Sequence, residues 1–163
     1  MKRILFSIFC ILLIPTFFAE AGISDKNDKL IQAAEKGNLQ EVQAALAEGA
    51  DINGIVIMKK HGMSVKGPTP LKAASRNGHT EVVKYLLNKG AEINAKANTT
   101  QSTALMIASE NGYTEIVRIL LDKGADVNVK AKIDNVEYTA LKMAKKNGHK
   151  EVVEILERAG AKE

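Results

Sequence analysis

"NGHTEVVKYLLNKGAEIN", residues 77–94, decides the fold because it does not stand alone. "NGYTEIVRILLDKGADVN" runs from Asn111 to Asn128, "NGHKEVVEILERAGA" from Asn147 to Ala161, and a looser copy, "KGNLQEVQAALAEGADIN", from Lys36 to Asn53. The first glycine of each copy falls at Gly37, Gly78, Gly112 and Gly148, and the second, twelve residues later, at Gly49, Gly90, Gly124 and Gly160. Successive copies start 41, 34 and 36 residues apart. A period in this range marks a stacked repeat protein, in which no unit buries its own apolar face. A residue needed for one act of chemistry does not recur four times at one register, so these residue types build shape.

The copy opening "GPTPLKAASRNGH" at Gly67 shows how. Thr69 can cap a helix with its hydroxyl, and Pro70 follows with φ preset and no amide hydrogen to leave unsatisfied. Leu71, Ala73 and Ala74 give a mostly small apolar face that lets a neighbouring helix come close. Asn77-Gly78 ends this helix in a tight turn. A second helix is expected from about Thr80 to Lys89, with Val82, Val83, Leu86 and Leu87 at helical spacing. Glu81 in its first turn and Lys89 in its last both complement the helix dipole. Gly90 then supplies a left-handed C-terminal position. The unit is helix, turn, helix, then an extended excursion to the next copy.

"TPLKAASRNGHTEVVKYLLNKGAEIN" and "TALMIASENGYTEIVRILLDKGADVN" resemble the ankyrin repeat, and the resemblance covers about Asp28 to Ala161. It implies an all-α repeat solenoid of stacked antiparallel helix pairs with β-hairpin loops projecting to one side, and binding to other proteins by surface contact. Two departures stand out. The family's histidine after the first-helix leucine is replaced by Ile31, Lys72, Met106 and Lys142. The glycine that opens the repeat is present as Gly67, with Gln101 and Glu137 at the matching places. Four repeats are expected, at about residues 24–53, 67–96, 101–130 and 137–163. End repeats of a solenoid must show a polar outer face. Accordingly Glu41 stands where the others place Val82, Ile116 and Val152, Glu157 where they place leucine, and Lys145 where Ala34, Ser75 and Ser109 stand.

The first residues have a different character. Met1-Lys2-Arg3 is basic, Ile4 to Phe18 is a mainly apolar run of fifteen residues, and Ala19-Glu20-Ala21 fits a small-residue cleavage pattern. A membrane-spanning helix needs about 20 apolar residues, and this run is shorter and contains Pro15. Residues 1–21 therefore read as a cleavable signal peptide of an exported, bacterial-type protein, periplasmic or secreted, with no stable membrane anchor. Residues 22–163 form one domain. That domain keeps 21 Lys and Arg against 18 Asp and Glu and, with Cys10 removed, no cysteine. Disulfides and thiol chemistry are thereby excluded from the exported form. The positive charge is too small and too interspersed to indicate nucleic acid.

No residue pattern points to a catalytic, cofactor or metal site. His79 and His149 follow the turn glycine two repeats apart, where Asn38 and Tyr113 stand in the other copies, which favours a structural hydrogen bond over a shared metal. "DKGADVN", Asp122 to Asn128, has alternating oxygens like a calcium loop but lacks its later glutamate. There is no phosphate-binding glycine loop, no Gly-x-Ser-x-Gly and no His-Glu-x-x-His. Glu81, Glu115 and Glu151 sit at equivalent helix starts, where the dipole accounts for them. An enzyme whose site leaves no linear motif, and a purely structural spacer, are the rival readings.

The junctions carry the individuality. Against a period of about 33 residues, the intervals exceed it most in "GIVIMKKHGMSVKGP", Gly54 to Pro68. Ile55 to Met58 is expected as a strand, Lys59 to Gly62 as a turn and Met63 to Lys66 as a return strand. "VKAKIDNVEY" reads as a second hairpin with Asp134-Asn135 at its tip. Lys59, Lys60, Lys66, Lys96, Lys130 and Lys132 gather on these fingers. They either keep edge strands soluble or form the basic rim of a contact surface for an acidic partner protein. Expected partner contacts are Ile57, Met58, Lys59, Lys60, His61 and Met63 on the long finger and Tyr138 beside the third junction. To these the resemblance adds Arg76, Asn77, Glu110, Asn111, Lys146 and Asn147 at the first-helix ends. The expected function is that of a monomeric, exported protein-binding module, such as an immunity protein or an accessory protein of another exported enzyme.

Overall fold

The computed structural model describes residues 26–60, 63–96, 101–133 and 136–162. The expected leader, the hairpin tips (His61 with Gly62, and Asp134-Asn135) and residues 97–100 of the second junction lie outside them.

Four helix pairs follow one another: α1 (residues 26–36) with α2 (Leu39–Ala47), α3 (Pro70–Arg76) with α4 (Thr80–Asn88), α5 (Ala104–Asn111) with α6 (Thr114–Asp122), and α7 (Ala140–Asn147) with α8 (Lys150–Arg158). The same cap starts three of the first helices. Thr69, Thr103 and Thr139 accept the amides of Lys72, Met106 and Lys142 at 3.4, 3.3 and 3.2 Å. α3 packs on α5 and α5 on α7, while α2, α4, α6 and α8 form a second row.

The small residues of the first helices set how closely the pairs approach. Leu71, Ala73, Ala74 and Ser75 of α3 are buried, as is every residue of α5 from Ala104 to Ser109. From the second row, Val82, Val83, Leu86, Ile116, Val117, Leu120, Val152 and Leu156 close the core. A fully buried leucine stabilises the fold by about 1.5–3 kcal/mol relative to exposure. Outer positions change as a finite stack requires: Glu41 and Lys145 are exposed where Val82, Ala34, Ser75 and Ser109 are buried, and Glu157 is exposed where Leu46, Leu87 and Leu121 are partly buried.

Backbone amides that no helix satisfies are taken up by asparagine side chains, within the first repeat by Asn27 and between successive repeats by the other three. The Oδ1 atoms of Asn27, Asn53, Asn94 and Asn128 accept the amides of Asp51, Glu92, Asp126 and Lys162 at 2.9, 2.8, 3.0 and 2.8 Å. His79 Nε2 donates to Glu35 O at 2.8 Å and His149 Nε2 to Glu110 O at 2.9 Å, the structural role expected of both rings. "DKGADVN" is occupied in the same way: Asp126 accepts the Asn128 amide at 2.9 Å, and Asn128 Nδ2 reaches Gly160 O at 3.3 Å. Gln101 holds φ at 50°, a left-handed backbone conformation that its side chain disfavours.

The long finger differs from the sequence expectation in one strand. β1 is Ile57–Lys60, not residues 55–58, and pairs antiparallel with β2 (Met63–Lys66) in the register Ile57↔Lys66 to Lys60↔Met63. The Gly67 amide donates to Val56 O at 2.7 Å and fixes that register, so only His61 and Gly62 separate the strands. Val56 packs against the helical core instead of joining the hairpin, while Ile57 is 59% exposed. The apolar run thus divides between anchor and finger. The third junction forms β3 (Ala131–Ile133) paired with β4 (Val136–Tyr138), as expected.

Two turn glycines separate backbone strain from packing. At Gly124, φ is +88° and a Cβ would meet nothing within 4 Å, whereas at Gly112, φ is +73° and a Cβ would lie 2.5 Å from His149 Nδ1. Gly124→Ala is therefore expected to cost about 1–2 kcal/mol through φ alone. Gly112→Ala should cost at least about 1 kcal/mol more, because the ring must move and release Glu110 O. Denaturant melts of the two variants decide this, and equal losses would show that the histidine bridge contributes nothing.

Candidate protein-binding face

The stack sorts charge onto two sides. The second row carries Glu81, Glu115 and Glu151 near its helix N-termini, where they complement the dipoles. It also pairs them. Lys84 Nζ lies 3.0 Å from Glu81 and 3.1 Å from Glu115, and Arg118 lies 3.3 Å from Glu151, a ladder crossing from repeat to repeat. The hydrogen bonds that Lys84 donates, first to Glu81 and then to Glu115, raise its pKa.

The first helices and fingers carry the opposite balance. Residues 54–76 contain five Lys or Arg and no Asp or Glu, and residues 129–147 contain five against two. Arg76, Lys145 and Lys146 end first helices, where basic residues complement the dipole. Lys130 pairs with Glu137 at 3.0 Å, and this hydrogen bond, followed by the fields of Lys130, Lys132 and Lys142, holds the Glu137 carboxyl below its usual range. One carboxylate thus faces three ammonium groups.

Tyr138 organises the end of this face. Lys142 Nζ stands 5.4 Å and Lys146 Nζ 5.3 Å from the centre of its ring, within cation–π range. Lys142 also donates to Glu137 O at 3.0 Å, so it covers part of the β4 backbone as edge-guarding lysines do. Lys142 thus guards the β4 edge, and Lys146 places an exposed positive charge beside an aromatic ring.

The other expected contact residues divide. Arg76 and Glu110 are exposed at the ends of α3 and α5. Asn77, Asn111 and Asn147 are exposed too, but their amides are used by the frame. Each donates to the carbonyl four residues earlier, at 3.2, 2.9 and 3.0 Å, and Asn77 also reaches Glu35 O at 3.1 Å. Their contact with a partner would compete with capping. Met58, Lys59, Lys60 and Met63 lie in the paired strands β1 and β2, and His61 lies outside the described residues. No group of His, Cys, Asp and Glu suited to a metal ion occurs among the described residues. Among them, too, no helix is long and apolar enough to cross a membrane.

One residue escaped the sequence reading. Lys72 is noted there only as a replacement for histidine, yet its side chain is 1% exposed. Lys142 at the equivalent place is exposed, because no further repeat packs on α7 among the described residues. Met106, in the repeat between, is buried without penalty. Burial, with a smaller contribution from Arg76, lowers the Lys72 pKa from 10.5 to about 8. The signal available was positional: in a middle repeat, that place faces a neighbour.

The unfolded chain holds this proton up to its ordinary pKa, so stability should rise as pH increases from about 8 towards 10.5. The shift corresponds to about 3 kcal/mol at most. Lys72→Met, copying Met106, is expected to raise stability at pH 7 and to flatten that rise. Melts of the two proteins across this window provide the measurement, and parallel pH curves would refute it.

Comparison with known proteins agrees with this geometry. The family model for ankyrin repeats, described as three copies, matches residues 7–97, 30–131 and 96–162. The human mitochondrial disaggregase is 41% identical over 71 residues, covering 44% of this chain and 9% of that protein. The ankyrin repeat and KH domain-containing protein mask-1 of Caenorhabditis elegans is 39% identical over 76 residues, 47% of this chain and 3% of its own length. An Arf-GAP with ANK repeat and PH domain from the same organism is 39% identical over 67 residues, 41% of this chain and 7% of its length. The chain thus spans less than a tenth of each of these relatives.

Proposed function

Because the chain belongs to the ankyrin-repeat family, whose repeats mediate protein–protein interaction, we propose that it is an exported module that grips an acidic surface of a partner protein. The fingers and the ends of the first helices are the contact face. The observation that carries this reading is the surplus of positive charge there: Glu137 is shared among Lys130, Lys132 and Lys142, while Glu81, Glu115 and Glu151 of the second row are engaged with Lys84 and Arg118. Basic residues around a partly apolar patch steer an acidic protein and fix its orientation, and the attraction weakens with salt. Ile57 and Val136, 59% and 43% exposed, supply apolar contact. A rigid binder with this charge suits an immunity protein or an accessory protein of another exported enzyme, acting as a monomer in the periplasm or outside the cell.

Shortening residues 57–66 to an ordinary turn, which keeps Val56 on the core, is expected to leave the helical melt unchanged, since each repeat packs on its neighbours. It should reduce capture of the partner from the exported fraction by about tenfold or more. Lys132→Glu with Lys146→Glu should slow association at low salt and remove most of its salt dependence. A shortened protein that folds and holds the same partner unchanged would overturn the role of the finger. N-terminal sequencing of the exported chain should begin at Gly22, and an intact Met1 in the cytosol would overturn export.

A further inference from the structure

The hydrogen-bond phase of the long finger shows which of its backbone groups are already used. The Gly67 amide donates to Val56 O at 2.7 Å, and Ile57 pairs with Lys66. In an antiparallel ladder this makes Ile57 and Lys66 a non-hydrogen-bonded pair, as are Lys59 and Ser64 two residues on. The N–H and C=O groups of Ile57 and Lys59 therefore point away from β2. β1 has one partner strand, so its other edge faces no strand among the described residues. The β4 edge differs, because there Lys142 Nζ occupies Glu137 O.

We propose that the β1 edge accepts an extended acidic segment of a partner protein as a third strand, bonded to the N–H and C=O groups of Ile57 and Lys59. This deepens the reading of the finger as a contact surface and rests on it. An unpaired strand edge is a template for such addition, with backbone bonds giving affinity and side-chain contacts giving specificity. Charge selects the occupant. The finger, residues 54–66, has three basic residues (Lys59, Lys60 and Lys66) and no acidic one, so a second copy of this chain would set lysine against lysine, whereas Glu or Asp on an added strand would meet Lys. Ile57, 59% exposed, offers an apolar contact for an alternate position of that strand.

The test uses the full chain and a synthetic peptide of alternating valine and glutamate. Binding by calorimetry should be accompanied by protection from hydrogen exchange of the Ile57 and Lys59 amides, with no change at Met58. Ile57→Pro removes an outward N–H that the hairpin does not use, and should weaken binding by about tenfold or more. Circular dichroism and the melting temperature of that variant should match the parent protein. The same peptide, N-methylated at alternate amides on its pairing edge, should bind as weakly. Binding that leaves both amides unprotected and ignores both modifications overturns strand addition but leaves the acidic-partner reading standing. Absence of any peptide binding also overturns strand addition, while partner capture by parent and shortened proteins still judges the broader reading separately.

Discussion

No helix pair in this chain can close its own core. α3 and α5 are buried over almost their whole length because a neighbour lies on each side, and α5 could not place six consecutive residues out of water otherwise. That requirement explains the small residues of the first helices, since Ala73, Ala74 and Ala108 set how near the backbones come. It also explains the turn glycines. The chain must reverse at the same point in every repeat, or the second helices would not form a row. The asparagine and histidine bridges then tie each backbone turn to the next repeat.

The charge asymmetry follows from the same geometry. α3, α5 and α7 are seven or eight residues long, and Arg76 of α3 and Lys145 and Lys146 of α7 stand near negative dipole ends. Second helices begin with Glu81, Glu115 and Glu151 near their positive ends. Local helix electrostatics thus contributes the basic ends of α3 and α7 and the acidic starts of the second helices, while α5 ends without a basic residue. The acidic row neutralises itself through inter-repeat pairs, which at the surface are worth little individually, about 0–1 kcal/mol. The basic face has too few carboxylates to do so.

Stability and the proposed contact surface therefore fall in different parts of the chain. A two-stranded hairpin is marginal in water by itself, and the long finger is held by Val56 packing on the core and by the Gly67–Val56 bond at its base. Beyond that anchor it adds little to the frame. Lys72 is the exception on the frame side, because a charged group placed between repeats favours the unfolded chain at neutral pH.

The sequence alone determined the frame: the repeat register, the helix pairs, the capping threonines, the left-handed glycines and the polar ends. All of these are local or periodic properties, visible as spacing along the chain. It also located both fingers and the lysines on them. What it could not fix depends on which neighbour a residue meets. Ile55 to Met58 has strand-like composition throughout, yet the Gly67 amide and the core contact of Val56 moved β1 to Ile57–Lys60. Lys72 and Lys142 occupy one repeat position, and only the packing of α5 on α3 makes the first buried while the second lies over Tyr138. Tertiary structure decided these points because burial, hydrogen-bond phase and charge balance belong to pairs of segments, and the distance between paired segments is not written in either one.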